Sequence, residues 1–187
     1  MKLFKIFGLL VFVSAFTLFS CSTDSEIDNP TIDEMDMMED PNDGEGNDLG
    51  DAPAFSMETT SGDKLESSEY QGKNLVIWFF GAGCPPCRSI GPSVESNIYQ
   101  AFKDNDKFAM IGGDQWNDPD TRVDDFAEVT GVTFPLGKQA ASVARDFGTT
   151  YDRFVIINSE GKIVFKSSNR VSNHIDEAAD IIKGLLE

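Results

Sequence analysis

Cys84 and Cys87 stand three residues apart in Cys84-Pro85-Pro86-Cys87. Two thiols at that spacing can pass between dithiol and disulfide with little backbone movement. They follow Leu75-Val76-Ile77-Trp78-Phe79-Phe80, an apolar run of strand length, and precede Arg88 to Tyr99, which reads as a helix. A strand would end at a tight turn, and the cysteines would open the next helix. A helix N-terminus offers free N–H groups and the positive end of the macrodipole, and both favour thiolate over thiol. Cys84, at the turn, is the expected attacking thiol. Cys87, one turn in and more shielded, is the expected resolving thiol, which breaks a mixed disulfide between Cys84 and a partner. Pro85 suits the first helical position, where a missing N–H is no loss. Together Pro85 and Pro86 remove two donors that would hold a thiolate, while stiffening the loop towards ring closure.

Two blander readings stand beside this one. Half of a zinc site would need about four ligands in all. The chain has a single histidine, His174, and no other free cysteine after the leader, so one chain cannot complete the usual Cys/His set. A purely structural disulfide rarely closes so short a loop, because its stabilisation grows with loop length. The strand–CxxC–helix context favours a redox pair.

The elements around the pair begin with a leader. Met1-Lys2-Leu3-Phe4-Lys5 and the apolar run from Ile6 to Phe19 have the charged and hydrophobic regions of a secretory signal. The run is short for a membrane span of about 20 residues. It ends in Leu18-Phe19-Ser20-Cys21, which resembles a bacterial lipobox. The resemblance implies cleavage before Cys21 and lipidation of its thiol. The rival is an ordinary signal peptide with a stray cysteine. Ser22, in place of Asp, resembles the sorting of lipoproteins to the outer membrane. An exported chain works in an oxidising space, so a reducing CxxC there would need re-reduction by a partner.

From Ser22 to Asp51 there are twelve Asp and Glu residues and no Lys or Arg. Such a stretch buries too little to offset its ordering entropy and is expected to be a disordered, charge-extended spacer. Its start after the lipidated cysteine also resembles surface-export signals of some Gram-negative lipoproteins. Calcium binding fails on register. With Gly44 as the sixth loop residue the third is Pro41, and with Gly46 sixth the first is Pro41. The organisation read from sequence is therefore a signal peptide over 1–20, a lipidated cysteine with acidic tether over 21–51, and one domain over 52–187.

Of the formal net charge of −17, removing those twelve acids and the two leader lysines leaves −7 on the domain, which argues against nucleic acid. Short strands flank the turn Ser61-Gly62-Asp63. Ile90, Val94, Ile98 and Phe102 form one helical stripe, which Pro92 should kink. Phe108–Gly112 reads as a strand. Asp118 or Asp120 can cap a helix that ends at Gly131. A short helix covers Ala140–Phe147 and ends at Gly148. Phe154–Ile157 and Lys162–Phe165 form a hairpin about Ser159-Glu160-Gly161, and a last helix runs from about Asn173 to Leu186. The alternation predicts an α/β sheet with helices on both faces.

In element order and motif, residues 52–187 resemble the thioredoxin fold, and within it the exported TlpA/ResA-like and AhpC/TSA (redoxin) thiol-disulfide oxidoreductases. The carriers are Ala52-Pro53-Ala54-Phe55, Tyr70-Gln71-Gly72-Lys73, Phe79-Phe80 before the CxxC, Pro92, Phe134-Pro135 and Ile157-Asn158-Ser159-Glu160-Gly161-Lys162. The resemblance implies a central mixed sheet, an N-terminal hairpin and a βα-type insertion after the CxxC helix. It implies dithiol–disulfide exchange at Cys84 and Cys87 without a cofactor or metal.

Four positions depart from the family. Gly83 stands where it usually has Trp, which should open the surface beside Cys84. Trp78 stands where thioredoxins bury a proton-handling Asp. Ile90 replaces a Glu seen in some relatives. Asp152 falls where the family has a cis-proline facing the first cysteine; a trans peptide is expected there, since a cis bond to a non-proline costs about 2.5–4 kcal/mol. Pro135 looks like a different family proline, before the strand–helix insertion. Two readings of Tyr151-Asp152-Arg153 follow: a polar wall at the dithiol that handles substrate or protons, or a strand cap in which Asp152 points to solvent. With Gly83, Pro85 and Pro86 these residues make the expected rim. Loss of the proline also keeps a metal-bridged dimer as an alternative.

The peroxidase motif Pro-x-x-x-Thr/Ser-x-x-Cys fails, with Ile77 and Gly81 at its marker positions. A weak thiol-dependent peroxidase would need Arg153 near Cys84. His174 reads as a surface or capping residue without a local partner, and Trp116 as either rim or packing. The reading is an envelope lipoprotein, outer-membrane anchored and facing periplasm or surface, that reduces disulfides of envelope proteins or small thiols. Its re-reduction falls to a membrane electron donor. The alternative is a redox-inert binding module on the same scaffold.

Overall fold

The computed structural model describes residues 49–168 and 170–187, so the leader, Cys21 and the tether up to residue 48 lie outside it. Seven strands form one mixed sheet: β1 (Ser56–Thr59), β2 (Lys64–Glu66), β3 (Asn74–Phe80), β4 (Phe108–Asp114), β5 (Leu136–Lys138), β6 (Arg153–Ile157) and β7 (Ile163–Lys166). Their spatial order is β2-β1-β5-β4-β3-β6-β7. β3 runs parallel to β4 and β4 to β5; β6 lies antiparallel on the other edge of β3. The helices are α1 (Pro85–Val94), α2 (Gln100–Phe102), α3 (Asp120–Thr130), α4 (Ala141–Asp146) and α5 (Ile175–Leu186).

β3 is an interior strand between β4 and β6, and all seven of its residues are buried, Leu75–Phe80 being apolar throughout. A strand covered on both faces needs apolar side chains at every position, not every second one. Val76, Trp78 and Phe80 face α1, α3 and α5, where Cys87, Val94, Phe126 and Ile182 meet them. Leu75, Ile77 and Phe79 face the other way, towards Phe55, Met57, Val143 and Phe147. Trp78 lies among Phe80, Phe126, Phe134 and Phe154, with ring centroids 5.3–6.3 Å away. Such pairs each contribute about 0.5–1.5 kcal/mol beyond area burial, so the end of β3 that carries the CxxC turn is firmly seated.

Several expected features differ in detail. Pro92 lies inside α1, but the helix runs on past it into a π-helical segment, Glu95–Tyr99. The segment opens on buried Glu95. Its carboxylate accepts the Thr133 backbone N–H at 2.9 Å and the Thr133 hydroxyl at 2.6 Å, so it must face inward. The N-cap of α3 is Pro119, with no side-chain cap; Asp120 sits in the first turn. Gly131, Gly148 and Gly161 all have positive φ at the ends expected for α3, α4 and the final hairpin. Leu49–Asp51, assigned from sequence to the tether, join the fold. Leu49 packs against the core beside Phe55, its N–H donates to Ile163, and Ile163 donates to Gly50. Among the described residues no helix is long and apolar enough to cross a membrane.

Candidate active site

Where β3 ends, Gly81-Ala82-Gly83 turns the chain into α1, and Cys84 is the N-cap of that helix. Its sulfur accepts the Cys87 backbone N–H at 3.4 Å. Pro85 and Pro86 fill the first two helical positions, exposed to solvent. Cys84 is half-buried, whereas Cys87 is 1 % exposed and part of the core. Both are free thiols. Burial pushes the Cys87 thiol well above its ordinary range, and the Asp152 charge and a hydrogen bond with Cys84 push it further.

The turn is held from β4 and the loop after it. Asp114, wholly buried at the end of β4, accepts the Ala82 N–H at 3.0 Å and the Asp118 N–H at 2.6 Å. Burial raises its pKa, against the pull of those two donors. Asp118 in turn accepts the Gly83 N–H at 2.9 Å. Arg88 reaches back from α1 to the Ala82 carbonyl at 2.9 Å and to Asp125 on α3 at 2.6 Å. The two residues before Cys84, Ala82 and Gly83, are thus fixed by side chains from other elements.

A groove of about 590 Å³ opens over the dithiol. Cys84, Pro86, Cys87 and Ile90 form one side, and Thr150, Tyr151, Asp152 and Arg170 the other. Gln115 and Trp116 close the end nearest Gly81. Trp116 is 54 % exposed and lies against Gly81, where any Cβ would run into its indole. The Gln115 carboxamide is enclosed, and neither of its polar atoms has a hydrogen-bond partner among the described residues.

The Redoxin family model matches residues 48–182. The chain belongs to the Redoxin family. A thiol-disulfide oxidoreductase ResA of Bacillus subtilis (strain 168) is 31% identical over 119 residues, which is 61% of this chain and 63% of that relative. The aligned region therefore spans under two thirds of that relative's length. Among solved structures, a proposed protein disulfide isomerase from Bacteroides thetaiotaomicron is 31% identical, with a TM-score of 0.67 over 76% of this chain and 90% of the other. A thiol:disulfide interchange protein of the thioredoxin family from Chlorobium tepidum TLS has a TM-score of 0.59 at 23% identity over 73% and 96% of the two chains. The fold is thioredoxin-like.

Against that family, the rim of this redoxin is rebuilt from unexpected residues. The surface at Gly83 is not open: Nη1 of Arg122 lies 2.7 Å from where a Cβ would stand. The peptide before Asp152 is trans, since the described residues contain no cis bond. Asp152 does not point to solvent. Its Oδ1 accepts the Trp78 indole N–H at 2.7 Å, and its Oδ2 takes a longer contact, 3.4 Å, from the Val171 N–H. Burial raises its pKa, opposed first by the Trp78 bond.

Tyr151 lines the groove as expected, but Arg153 does not. Side chains alternate along β6. Phe154 faces Trp78 and the CxxC helix, so Arg153 faces the opposite layer, where it is 1 % exposed. Its Nη2 donates to the Tyr151 hydroxyl at 2.8 Å, and its guanidinium lies 4.9 Å from the Tyr151 ring centre. It holds Tyr151 from behind and does not line the groove over Cys84. His174 has partners after all: Nε2 with the Ser168 hydroxyl at 2.7 Å and Nδ1 with Glu177 at 2.6 Å. The cluster fastens the start of α5, and none of its members lines the groove. Sequence reading placed Gln115 beside Trp116 at the end of a strand as possible rim, and missed Asp114, Arg88, Arg122 and Arg170 as parts of the site. The signal available for Asp114 was an acid closing the apolar run Phe108–Gly113.

Proposed function

We propose that this redoxin is an exported thiol-disulfide oxidoreductase that cycles Cys84 and Cys87 between dithiol and disulfide. The observation that carries the reading is the asymmetry of the pair: Cys84 accessible at a helix N-terminus in a groove, Cys87 buried one turn behind it. The Cys84 thiolate attacks a sulfur of the substrate disulfide, and one substrate sulfur leaves as a thiolate. Cys87, deprotonated, then attacks the Cys84 sulfur of the mixed disulfide. The second substrate thiolate leaves, and Cys84–Cys87 becomes the disulfide. The substrate gains two electrons and two protons, and the enzyme loses them.

The reductive direction is supported by Cys87. A pair is oxidising when its reduced form is stabilised as thiolate. Here burial and the Asp152 charge disfavour the Cys87 thiolate. The substrates are disulfides of envelope proteins or small thiol compounds, and a membrane electron donor restores the dithiol. Export rests on the leader over 1–20, and anchoring on a lipid at Cys21, with the acidic stretch as spacer.

A redox titration scored by thiol alkylation and mass tests this. A reversible potential well below about −200 mV supports the reductase, and one near −120 mV an oxidase. Cys87→Ser should accumulate mixed disulfides, and Cys84→Ser should abolish exchange. A dithiol that exchanges with no thiol reagent under native conditions would leave only a binding module.

A further inference from the structure

The resolving step poses a problem of proton traffic. Cys87 is enclosed in the core, yet it must lose its proton before it can attack the mixed disulfide at Cys84. The charged and titratable groups facing this part of the groove are few. Cys84 and Cys87 come from α1, Tyr151 and Asp152 from the loop before β6, and Arg170 from the segment before α5. Gly81, just after β3, and Gln115 and Trp116, just after β4, are uncharged, as is the Trp78 indole of β3; the buried carboxylate that ends β4, Asp114, holds the CxxC turn and does not line the groove. Among the described residues Asp152 is therefore the one carboxylate lining the groove.

We propose that Asp152 is the base that receives the Cys87 proton in the resolving step, its carboxylate oriented by the Trp78 indole N–H. This rests on the oxidoreductase reading above. The proton leaves Cys87 sulfur for Asp152 oxygen as the Cys87–Cys84 bond forms. The bond between Cys84 and the substrate sulfur breaks, and the departing thiolate takes a proton back from Asp152 or from solvent. Charge and protons balance without a further reactant.

The geometry suits the task in two ways. The Trp78 bond at 2.7 Å fixes Oδ1 and binds the buried carboxylate to the sheet. The Val171 contact on Oδ2 is long, at 3.4 Å, so that oxygen keeps acceptor capacity. Burial also lifts the Asp152 pKa above the ordinary carboxylate range, which brings it nearer to that of a useful base at neutral pH. The Asp152 charge disfavours the Cys87 anion, and a proton passed from Cys87 to Asp152 removes that repulsion.

Stopped-flow reaction of the reduced protein with 5,5′-dithiobis(2-nitrobenzoate) separates the steps. The first thionitrobenzoate released reports Cys84 attack, and the second reports attack by Cys87 on the mixed disulfide. In Asp152→Asn the second phase at pH 7 should slow tenfold or more while the first changes by less than about threefold. A purely electrostatic role has the opposite sign, because removing a nearby negative charge increases the Cys87 thiolate. A second phase that is unchanged or faster overturns the inference and leaves the oxidoreductase reading intact. Absence of both phases in the unsubstituted protein overturns that reading and this inference together. Trp78→Phe supplies an independent arm. It keeps the carboxylate but removes its donor, so the acid limb of the second-phase pH profile should move to higher pH. A limb that stays in place counts against Asp152.

Discussion

Replacing Asp114 with Asn should loosen the CxxC turn by an amount that depends on pH in a set direction. Asp114 accepts the Ala82 N–H on one carboxylate oxygen and the Asp118 N–H on the other, with a further backbone bond from Trp116. Asn keeps one oxygen and turns an NH₂ towards the other donor. A hydrogen bond to a charged acceptor is lost, worth about 1.5–3 kcal/mol, and a buried N–H is left unmade at about 1–3 kcal/mol. Against this stands relief from burying a charge, since burial raises the Asp114 pKa in spite of its donors. A net loss of about 2 kcal/mol at pH 7 is expected, roughly 30-fold in the folding equilibrium.

The pH dependence follows from the direction of that shift. The folded-state pKa lies above the ordinary 3.8. Between the two values the folded protein holds a proton that the unfolded chain has released. The Asp114 contribution therefore grows as pH falls through the folded pKa towards 3.8, and declines as pH rises. Asn does not titrate, and Asp152 titrates in both proteins and cancels. The gap between wild type and D114N should be smallest at neutral pH and widen towards pH 4. Urea unfolding of both reduced proteins at pH 7 and pH 4.5 measures it. Equal stability at both values, or a gap that narrows on acidification, refutes the account of Asp114 as the clasp of this turn.

Gln115→Met should stabilise the fold by about 1–3 kcal/mol, because it removes an enclosed amide with no partner among the described residues; a thermal melt that drops would show that the amide is held. Gly91→Ala should destabilise in spite of the better helix propensity of alanine. Its Cβ would stand 2.7 Å from the Thr130 Cβ, and Thr130 is itself tied to the Phe126 carbonyl at 2.6 Å. A loss of about 1 kcal/mol is expected after helix propensity is credited, and a higher urea midpoint would sink the reasoning. A chain starting at Ala52 should be less stable than one starting at Leu49 by about 1–3 kcal/mol. It loses the Leu49 and Gly50 backbone bonds to Ile163 and leaves a buried N–H open; matched midpoints for the two chains would restore the boundary at Ala52.

What was legible from sequence is what depends on local pattern. β3 shows because a doubly covered strand is apolar without interruption, and the CxxC helix because Pro85 and the stripe from Ile90 follow at once. The ends of α3, α4 and the final hairpin show because Gly131, Gly148 and Gly161 need positive φ. β5 has only three residues, Leu136–Lys138, too few for any alternation. Glu95, which opens the π-helical segment, meets Thr133, 38 residues away, and Leu49 is ordered by a strand over a hundred residues downstream. No window of local sequence contains either contact. Asp152 lies in a loop, where nothing periodic says inward or outward. Arg153 was different: strand parity with Phe154 already turned it away from the CxxC helix.

The two departures from the family pattern at Trp78 and Asp152 meet in one hydrogen bond. A tryptophan at the place of the family's buried acid removes a carboxylate and adds an enclosed N–H. An aspartate at the place of the cis-proline adds a carboxylate that burial would penalise. Each alone leaves a buried polar group without its partner; together they make a 2.7 Å hydrogen bond. A double-mutant cycle states this in energy. Trp78→Phe and Asp152→Leu should each destabilise by more than packing alone would cost, because each orphans the other group at about 1–3 kcal/mol. The double variant should fall well short of the sum, with a coupling of about 1–3 kcal/mol in urea unfolding. Additive losses would mean that the hydrogen bond carries no energy of its own. Coupling would mean that the groove's carboxylate and its indole donor act as one unit, each tolerated inside the fold because the other is there.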